Sequence, residues 1–386
     1  MREKGRWGWA MTGLTIDDVK LLKKDASPAV RADTAAKIAQ QFNGDVFGPS
    51  EMALAEQIFR IMVRDAEVRV REALAANLRA NPRLPHDVAV TLARDVDSVA
   101  LPMLSASDVL TAEDLVQIIS SQGSPARLDA IAGRREVDAR VSEAIVQNGS
   151  ETVVAKLLAN PGADIAEPTL HKVVDKFGHS EAVQDPLVHR DRLPITITER
   201  LVTRVAEHLR THLLSHHKIS PDIALELVLQ TRERATVGLA MGVSEDSLQA
   251  LVVQLHTNNR LSASLVLRAL CMGNLRFFEH AMARLAALPI DNARTLIHDP
   301  GQRGLQTLWT KSRLPGESLP AVRAALDVIA QTEFDGRDLD PERYSRRIIE
   351  RVLTQYESIG GEFANDDLEY LLAKVTQVPA ASLAVH

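Results

Sequence analysis

The sequence predicts an all-α fold, an α-solenoid of HEAT-like helix pairs with a repeat of about 27–40 residues. Three observations support this prediction. An apolar anchor pattern returns at a regular interval along most of the chain. The composition suits helices, because aromatic residues make up only 4% and Ala, Leu, Val and Arg are abundant. No segment shows the alternation of apolar and polar residues that half-buried strands require.

The regular pattern is an apolar anchor, a polar residue three positions later, and further apolar residues at the sixth and tenth positions. The sequence Leu-x-Ala-Asn-Pro introduces it at Leu78 and again at Leu157. The anchors recur about every 27 residues, at Leu78, Leu104, Ile131, Leu157, Leu187 and Leu213. We expect these anchors to be buried between neighbouring helices, because each pair in a solenoid covers its apolar face only against adjacent pairs.

Turn and cap residues show what each repeat contains. Pro85, Pro194 and Pro221 stand where a helix is about to begin, and the first turn of a helix tolerates their missing N–H. Thr111 precedes Asp114 by one helical turn, which is the form of an N-cap with an acidic residue in the first turn. Each unit is therefore predicted to be a helix, a short polar turn and a second helix.

Two N-terminal segments repeat with a longer period of about 40 residues. Small and apolar residues at helical spacing follow a shared start in both, formed by Asp25, Val30 and Arg31 and again by Asp65, Val70 and Arg71. This pattern resembles a HEAT repeat. The resemblance implies that Asp and Arg side chains join adjacent repeats while Val and Leu fill the core.

These patterns divide the chain into successive segments. We expect a disordered N-terminus at 1–14, HEAT-like repeats at 15–95, helical-pair repeats at 96–231, further helical pairs after a break in phase at 232–331, C-terminal capping helices at 332–377 and a disordered tail at 378–386. The capping prediction depends on Asp340-Pro341, which begins a helix pair of atypical sequence.

Charge and composition exclude several classes of protein. The chain has 45 Lys and Arg against 51 Asp and Glu, a net charge of −6, whereas a nucleic-acid-binding surface needs an excess of basic residues. No apolar run reaches the length of a membrane span. The single cysteine, Cys271, fits a reducing compartment. We therefore expect a cytoplasmic protein with no nucleic-acid partner and no membrane span.

The segments RRIIERVLTQYE and DDLEYLLAKV near the C-terminus, with the HEAT-like starts and the Leu-x-x-Asn-Pro units, resemble an uncharacterised bacterial family. This is the domain of unknown function 2336, found mostly in alphaproteobacteria. The resemblance runs over most of residues 15–377. It implies an all-helical repeat fold, and it supplies neither an activity nor catalytic residues.

A run of histidines is the one candidate metal site. His208, His212 and His216 stand four residues apart on one predicted helix face, and histidines at that spacing can chelate zinc. The alternative is a polar helix edge near its C-terminus, where His suits the helix dipole. We favour the second interpretation, because neither a cysteine nor an HExxH motif accompanies the run, and we predict no cofactor.

The polar residues three positions after the anchors form a series that we call the ladder. It consists of Asn81, Ser107, Arg134, Asn160, Arg190, His216, Asn258 and Lys311. A ladder at fixed spacing along one edge of a solenoid could contact an extended partner. Helix capping is the alternative, because Asn tolerates the left-handed conformation just past a helix end, and we favour capping.

Two arginine groups are candidate ligand sites. Arg134, Arg135 and Asp138 form an Arg-Arg-x-x-Asp element that resembles the motif with which some bacterial proteins bind cyclic dinucleotides, through guanidinium–phosphate pairing. Arg346 and Arg347 form a second basic pair. Structural explanations compete with both: an Asp–Arg bond across a turn for the first, and ion pairs with neighbouring Glu residues on a helix for the second.

Known catalytic motifs are missing from the sequence. It has no Walker loop, no Gly-x-Gly-x-x-Gly after a strand and no Gly-x-Ser-x-Gly elbow. The function that we predict is a non-enzymatic interaction scaffold or regulatory adaptor that binds a protein partner along its repeat surface. A receptor for a small anionic signal such as a cyclic dinucleotide is the first alternative, and an enzyme of unrecognised type is the second.

Overall fold

The structure is a computed structural model that describes residues 27–44, 47–216, 221–299, 303–331 and 348–354. Regular structure in these ranges is helical, and the one strand-like contact is an isolated bridge between Val137 and Ala163. None of the described helices combines the length and the apolar content that crossing a bilayer requires. The segments predicted to be disordered, 1–14 and 378–386, lie outside the described residues.

The chain divides into two compact units, Met1–Leu193 and Pro194–His386. The helical pairs predicted for 96–231 therefore fall in both units. Unit 1 contains α1 (Pro28–Asn43), α2 (Pro49–Met62), α3 (Val68–Leu78), α4 (His86–Ala93), α5 (Asp97–Ala106), α6 (Ala112–Gln122), α7 (Pro125–Ala132), α8 (Ala139–Asn148), α9 (Glu151–Ala159), α10 (Glu167–Phe177) and α11 (Glu181–Val188).

Helices two apart in the sequence pack against each other in unit 1. The first row consists of α1, α3, α5, α7, α9 and α11, each in contact with the next. In the second row, α2 contacts α4, and α6, α8 and α10 pack in succession. The C-terminal ends of the first-row helices, and the turns that follow them, lie along one edge of the unit.

The anchor prediction is confirmed where the structure describes the side chains. Leu78, Leu104, Ile131 and Leu157 are fully buried and Leu187 is 1% exposed, each in the last turns of a first-row helix. Solvent does not reach these side chains, because each first-row helix packs against second-row helices on one side and against its first-row neighbours on the other. The side chain of Leu213 lies outside the described residues.

Ion pairs connect successive first-row helices at the N-terminal edge of that row, as the HEAT resemblance implies. Arg31 Nε donates to Asp65 Oδ2 at 2.9 Å, and Arg71 Nη2 donates to Asp95 Oδ1 at 2.9 Å. The pKa values of both carboxyls lie below their usual range. Burial is the largest single effect and raises these pKa values, and the arginine hydrogen bonds, the backbone N–H hydrogen bonds and the arginine charges together outweigh it.

Unit 2 contains α12 (Ile195–His216), α13 (Pro221–Leu239), α14 (Glu245–Thr257), α15 (Ala263–Cys271), α16 (Leu275–Leu285), α17 (Ile290–Ile297), α18 (Arg303–Lys311), a short 3-10 helix (Gly316–Ser318) and α19 (Leu319–Gln331). Its core includes Phe277, Phe278 and Trp309. Residues 348–354 are helical, and Ile348 and Val352 are buried in the same core. The rest of the predicted capping segment, 332–347 and 355–377, lies outside the described residues.

Candidate functional site

The ladder residues of unit 1 bond to the helix that precedes them in the first row. Arg134 follows α7, and its guanidinium donates to the carbonyl oxygens of Leu104 and Ser107 at 2.7 and 2.8 Å, at the end of α5. Arg190 follows α11 and donates to the carbonyl oxygens of Leu158 and Ala163 at 2.9 and 2.8 Å, at and beyond the end of α9. Helix ends carry carbonyl groups without intrahelical partners, and these arginines satisfy them.

Asparagine performs the same role in the turns after α3 and α9. Asn160 Nδ2 donates to the carbonyl oxygens of Ala132 and Arg134 at 2.9 and 2.8 Å. Asn81 Nδ2 reaches the carbonyl oxygen of Phe42 at 3.4 Å and Oδ1 of Asn43 at 2.6 Å. The ladder is therefore a series of caps between successive first-row helices.

This finding corrects the reason that we gave for capping. Asn160 caps a neighbouring helix with its side chain, and its own backbone is extended, with φ −80° and ψ 113°. Ser107 differs from its neighbours in the ladder, because its buried hydroxyl has no hydrogen-bond partner in the described part of the chain. Asn258 and Lys311 in unit 2 are exposed, and the side chain of His216 lies outside the described residues.

The sequence-based ladder omitted Asn274, which performs this role in unit 2. Asn274 Nδ2 donates to the carbonyl oxygen of Ala240 at 2.9 Å, just past the end of α13, and Asn274 Oδ1 accepts from the backbone N–H of Phe277 at 3.1 Å. The anchor that precedes it by three residues is Cys271, which is fully buried. A search that accepted cysteine as an apolar anchor would have found Asn274.

A concave site of about 620 Å³ lies at the turn edge of unit 1, bounded by the turns that follow α5, α7 and α9. We call it the turn pocket. Its lining consists of Ser105, Ala106, Asp108, Leu110, Ala112, Leu115, Arg134, Arg135, Glu136, Val137, Asp138, Val141, Gly162 and Asp164. The Arg-Arg-x-x-Asp element thus lies inside this pocket.

Backbone hydrogen bonds fix two of the three turns to each other. The N–H of Val137 donates to the carbonyl oxygen of Gly162 at 3.0 Å, and the N–H of Asp164 donates to the carbonyl oxygen of Val137 at 2.9 Å. Residue 162 must be glycine for this approach, because a Cβ there would lie 1.9 Å from the carbonyl oxygen of Arg135. Backbone contacts therefore hold the turns after α7 and α9 together at the pocket wall.

The structure separates the roles of the three Arg-Arg-x-x-Asp residues. Arg134 is 8% exposed and its guanidinium is occupied by backbone carbonyls; burial lowers its pKa, and the nearby Asp108 partly offsets that effect. Asp138 caps α8, because its Oδ1 accepts from the N–H of Arg140 at 2.9 Å. Arg135 is exposed on the pocket rim.

The pocket carries charged groups of both signs. Asp108, Glu136, Asp138 and Asp164 are all exposed at its surface, against the two guanidinium groups of Arg134 and Arg135. Arg140 pairs with Asp138 at 3.2 Å, and the carboxylates of Asp108 and Asp164 interact electrostatically with Arg134 and Arg190. Carboxylate and guanidinium groups are therefore mixed at this pocket.

The structure gives less support to the other predicted sites. His208 and His212 lie on the exposed surface of α12, and the side chain of His216 is not described. Among the described residues, no three His, Cys, Asp or Glu side chains are placed to hold a metal ion. Arg346 and Arg347 lie outside the described ranges.

A dense ionic network lies in unit 2, and no pattern in the sequence predicted it. Glu245 Oε1 accepts from His280 Nε2 at 2.7 Å and from Arg294 Nη2 at 2.6 Å, and Glu245 Oε2 accepts from Arg276 Nη2 at 2.9 Å. Arg294 also donates to Glu279 at 2.7 Å. Hydrogen bonds from His280, Arg294 and Arg276 lower the pKa of Glu245 to about 2. The network joins α14, α16 and α17 by contacts far apart in the sequence.

The fold and the pocket define an all-α protein whose candidate site is formed by interhelical turns. The chain belongs to the family described as an uncharacterised protein conserved in bacteria, DUF2336, whose family model matches residues 99–360. The matched region contains the whole turn pocket and the Glu245 network. No curated protein and no solved structure matches the chain.

Proposed function

We propose that the protein is a non-enzymatic interaction scaffold or regulatory adaptor, with helix pairs stacked as an α-solenoid of HEAT-like repeats. The contacts between helices two apart in the sequence support this architecture, since stacked pairs bring such helices together. The proposed partner is a protein segment that binds along the turn edge of unit 1. The single buried cysteine, Cys271, supports a cytoplasmic location.

The turn pocket is the observation on which this proposal mainly depends. It spans three consecutive turns, and its lining mixes buried apolar groups with exposed carboxylates. First-row helices packed at about 8–10 Å spacing place these turns across roughly 20 Å. An extended chain covers about 3.3 Å per residue, so roughly six residues of a partner would span the pocket.

Hydrogen exchange on the full chain tests the proposal. The chain is mixed in turn with basic, acidic and apolar unstructured peptides of about 12 residues, which is about twice the span of the pocket. We expect at least one class of peptide to protect amides in the turns after α5, α7 and α9. Binding that leaves these turns unprotected, or no binding by any class, would contradict the proposal.

A further inference from the structure

We propose that an exposed stripe of α12, formed by Val205, His208, Leu209 and His212, binds a second copy of the chain, and that the histidines of the two copies together hold one Zn²⁺ ion. The stripe lies in unit 2, so this inference goes beyond the proposed function and does not depend on the turn pocket of unit 1. It takes up the metal-binding interpretation of the histidine run, which one chain alone does not complete.

The four residues of the stripe share one face of α12. They stand at positions i, i+3, i+4 and i+7, which an α-helix places within an arc of about 100°. All four side chains are exposed, Val205 at 61% and Leu209 at 40%. The apolar pair and the histidine pair therefore form two adjacent edges of one exposed surface.

The apolar edge of the stripe continues a face that is buried nearer the start of α12. Leu201, one turn before Val205 on the same face, is only 7% exposed. The neighbouring Glu199 is fully buried and accepts a hydrogen bond from Gln254 of α14 at 2.8 Å, which holds the first turns of α12 against that helix. The face thus changes from buried to exposed within one turn, and the stripe begins at that change.

The histidine edge provides half of a zinc site. Histidines four residues apart on a helix can ligate one transition-metal ion, and a structural Zn²⁺ takes four ligands in a tetrahedral arrangement. An imidazole has two ring nitrogens, so one can ligate the metal while the other keeps a hydrogen bond. Within the described residues of one chain, no third His, Cys, Asp or Glu is placed to join His208 and His212. The missing ligands must come from another molecule.

A second copy of α12 supplies those ligands. When two identical helices pack antiparallel about a two-fold axis, the same surface of each faces the other. An axis that passes through the histidine edge brings together His208 and His212 of both copies, which makes four imidazole ligands, and it places the two apolar edges against each other. A partner of different sequence would need its own histidine pair at the same spacing.

The size of the stripe explains why the metal is needed. The stripe extends over about 12 Å of a helix roughly 10 Å wide, so it offers on the order of 100–200 Å² of contact. Stable interfaces bury about 800 Å² per partner, and the apolar edge alone would not hold two copies together. Charge opposes the contact little, because Arg210 beside the stripe already donates to Glu207 at 3.1 Å.

The test measures the molar mass of the full chain in solution by light scattering, with no histidine tag on the protein. A chelator first removes metal, and Zn²⁺ is then added at one ion per two chains. We expect a monomer without metal, a dimer with zinc, and a monomer again when the chelator is restored. In a second measurement Co²⁺ replaces Zn²⁺, and its visible absorption should have the high intensity of a tetrahedral site.

Variants of the stripe test each edge separately. His208→Ala and His212→Ala each remove two of the four ligands from the dimer, one from each copy, and should abolish zinc-induced dimer formation. Leu209→Ser should weaken the zinc-dependent dimer by about tenfold or more, because the leucine of each copy loses its apolar contact. The matched control, His179→Ala with His189→Ala, changes two exposed histidines of unit 1 and should leave the dimer intact. Melting curves establish that each variant is folded.

Each outcome decides the question. A zinc-induced dimer that the α12 variants lose and the unit 1 control keeps supports the inference. Zinc-induced association that persists in both histidine variants, one zinc ion bound per chain without a dimer, or a dimer that persists in chelator would overturn it. None of these outcomes bears on the scaffold proposal, which the peptide experiment tests on the turns of unit 1.

Discussion

Asn160 donates a hydrogen bond of 2.8 Å from its side chain to the carbonyl oxygen of Arg134, so that two ladder residues from successive turns are directly joined. Arg134 in turn donates to the carbonyl oxygen of Ser107, the ladder residue before it. Hydrogen bonds to otherwise unpaired helix-end carbonyls stabilise the helix that receives them and the contact between the two helices.

Replacing Arg134 by Met should therefore destabilise the protein. The variant leaves the carbonyl oxygens of Leu104 and Ser107 without donors, which costs about 2–3 kcal/mol for lost charged hydrogen bonds. Urea unfolding measures the change. Arg135→Met is the matched control and should change the free energy of unfolding by less than about 0.5 kcal/mol. Equal effects of the two changes would contradict the assignment of Arg134 as a cap.

Gly162→Ala should destabilise the protein more than the addition of one methyl group usually does. The added Cβ would lie 1.9 Å from the carbonyl oxygen of Arg135, so the hydrogen bonds between Val137 and its partners must break or shift. We expect a loss of about 2–4 kcal/mol in the free energy of unfolding. Gly316→Ala, where a Cβ meets nothing within 4 Å, is the control. A Gly162→Ala variant with wild-type stability would show that the turn is not held as described.

Truncation of the anchors tests the packing. Ile131→Ala and Leu157→Ala each remove a fully buried side chain and should cost about 2–5 kcal/mol. Val188→Ala, at a position 53% exposed, should have little effect. Denaturant midpoints provide the measurement, and unchanged midpoints for both anchors would show that the repeat is assigned in the wrong phase.

The Glu245 network predicts acid sensitivity. Because hydrogen bonds lower the pKa of Glu245 from 4.5 to about 2, its contribution to stability is fully present above about pH 4.5 and is lost as the pH falls toward 2. The free energy of unfolding, measured between pH 7 and pH 2, should decrease less in Glu245→Gln than in the wild type. The control Asp246→Asn changes an exposed carboxylate beside Glu245, and its free energy of unfolding should decrease as much as that of the wild type. Identical pH profiles for wild type and Glu245→Gln would refute the prediction.

A melting screen tests the receptor alternative. A ligand at a hundred times its dissociation constant adds about 2.7 kcal/mol of stability, which shifts the midpoint measurably. We expect no shift with cyclic dinucleotides, because the guanidinium of Arg134 is bonded to backbone carbonyl oxygens and cannot pair with a phosphate without breaking those bonds. Arg135→Ala is the informative variant, since Arg134→Ala would also damage the fold. A shift that Arg135→Ala abolishes would favour the receptor over the scaffold.

Sequence reasoning predicted the helices and the anchors because both depend on local periodicity. The pattern around Leu78 and Leu157 indicates which face of each helix is buried, and both leucine side chains are buried in the structure. The Arg31–Asp65 pair followed from the HEAT resemblance in the same way. These features need only residue type and spacing.

The chemistry of the turn pocket could not be predicted in this manner. Four residues of sequence do not show where a guanidinium points, and the acceptors of Arg134 are backbone carbonyls, which every residue has. The carboxylates of Asp108 and Asp164 belong to different turns, and only the packing of the first row brings them together. The network around Glu245 depends in the same way on contacts between distant helices.

The caps in unit 1 have a direction. Asn81, Arg134, Asn160 and Arg190 all donate toward the helix that precedes them in the first row. A chain that ended after α5, α7 or α9 would therefore lack the side-chain donors that complete its last first-row helix, whereas a chain that began later would keep the donor for every helix end it retained. Each helix pair of unit 1 is thus completed by the pair that follows it in the sequence.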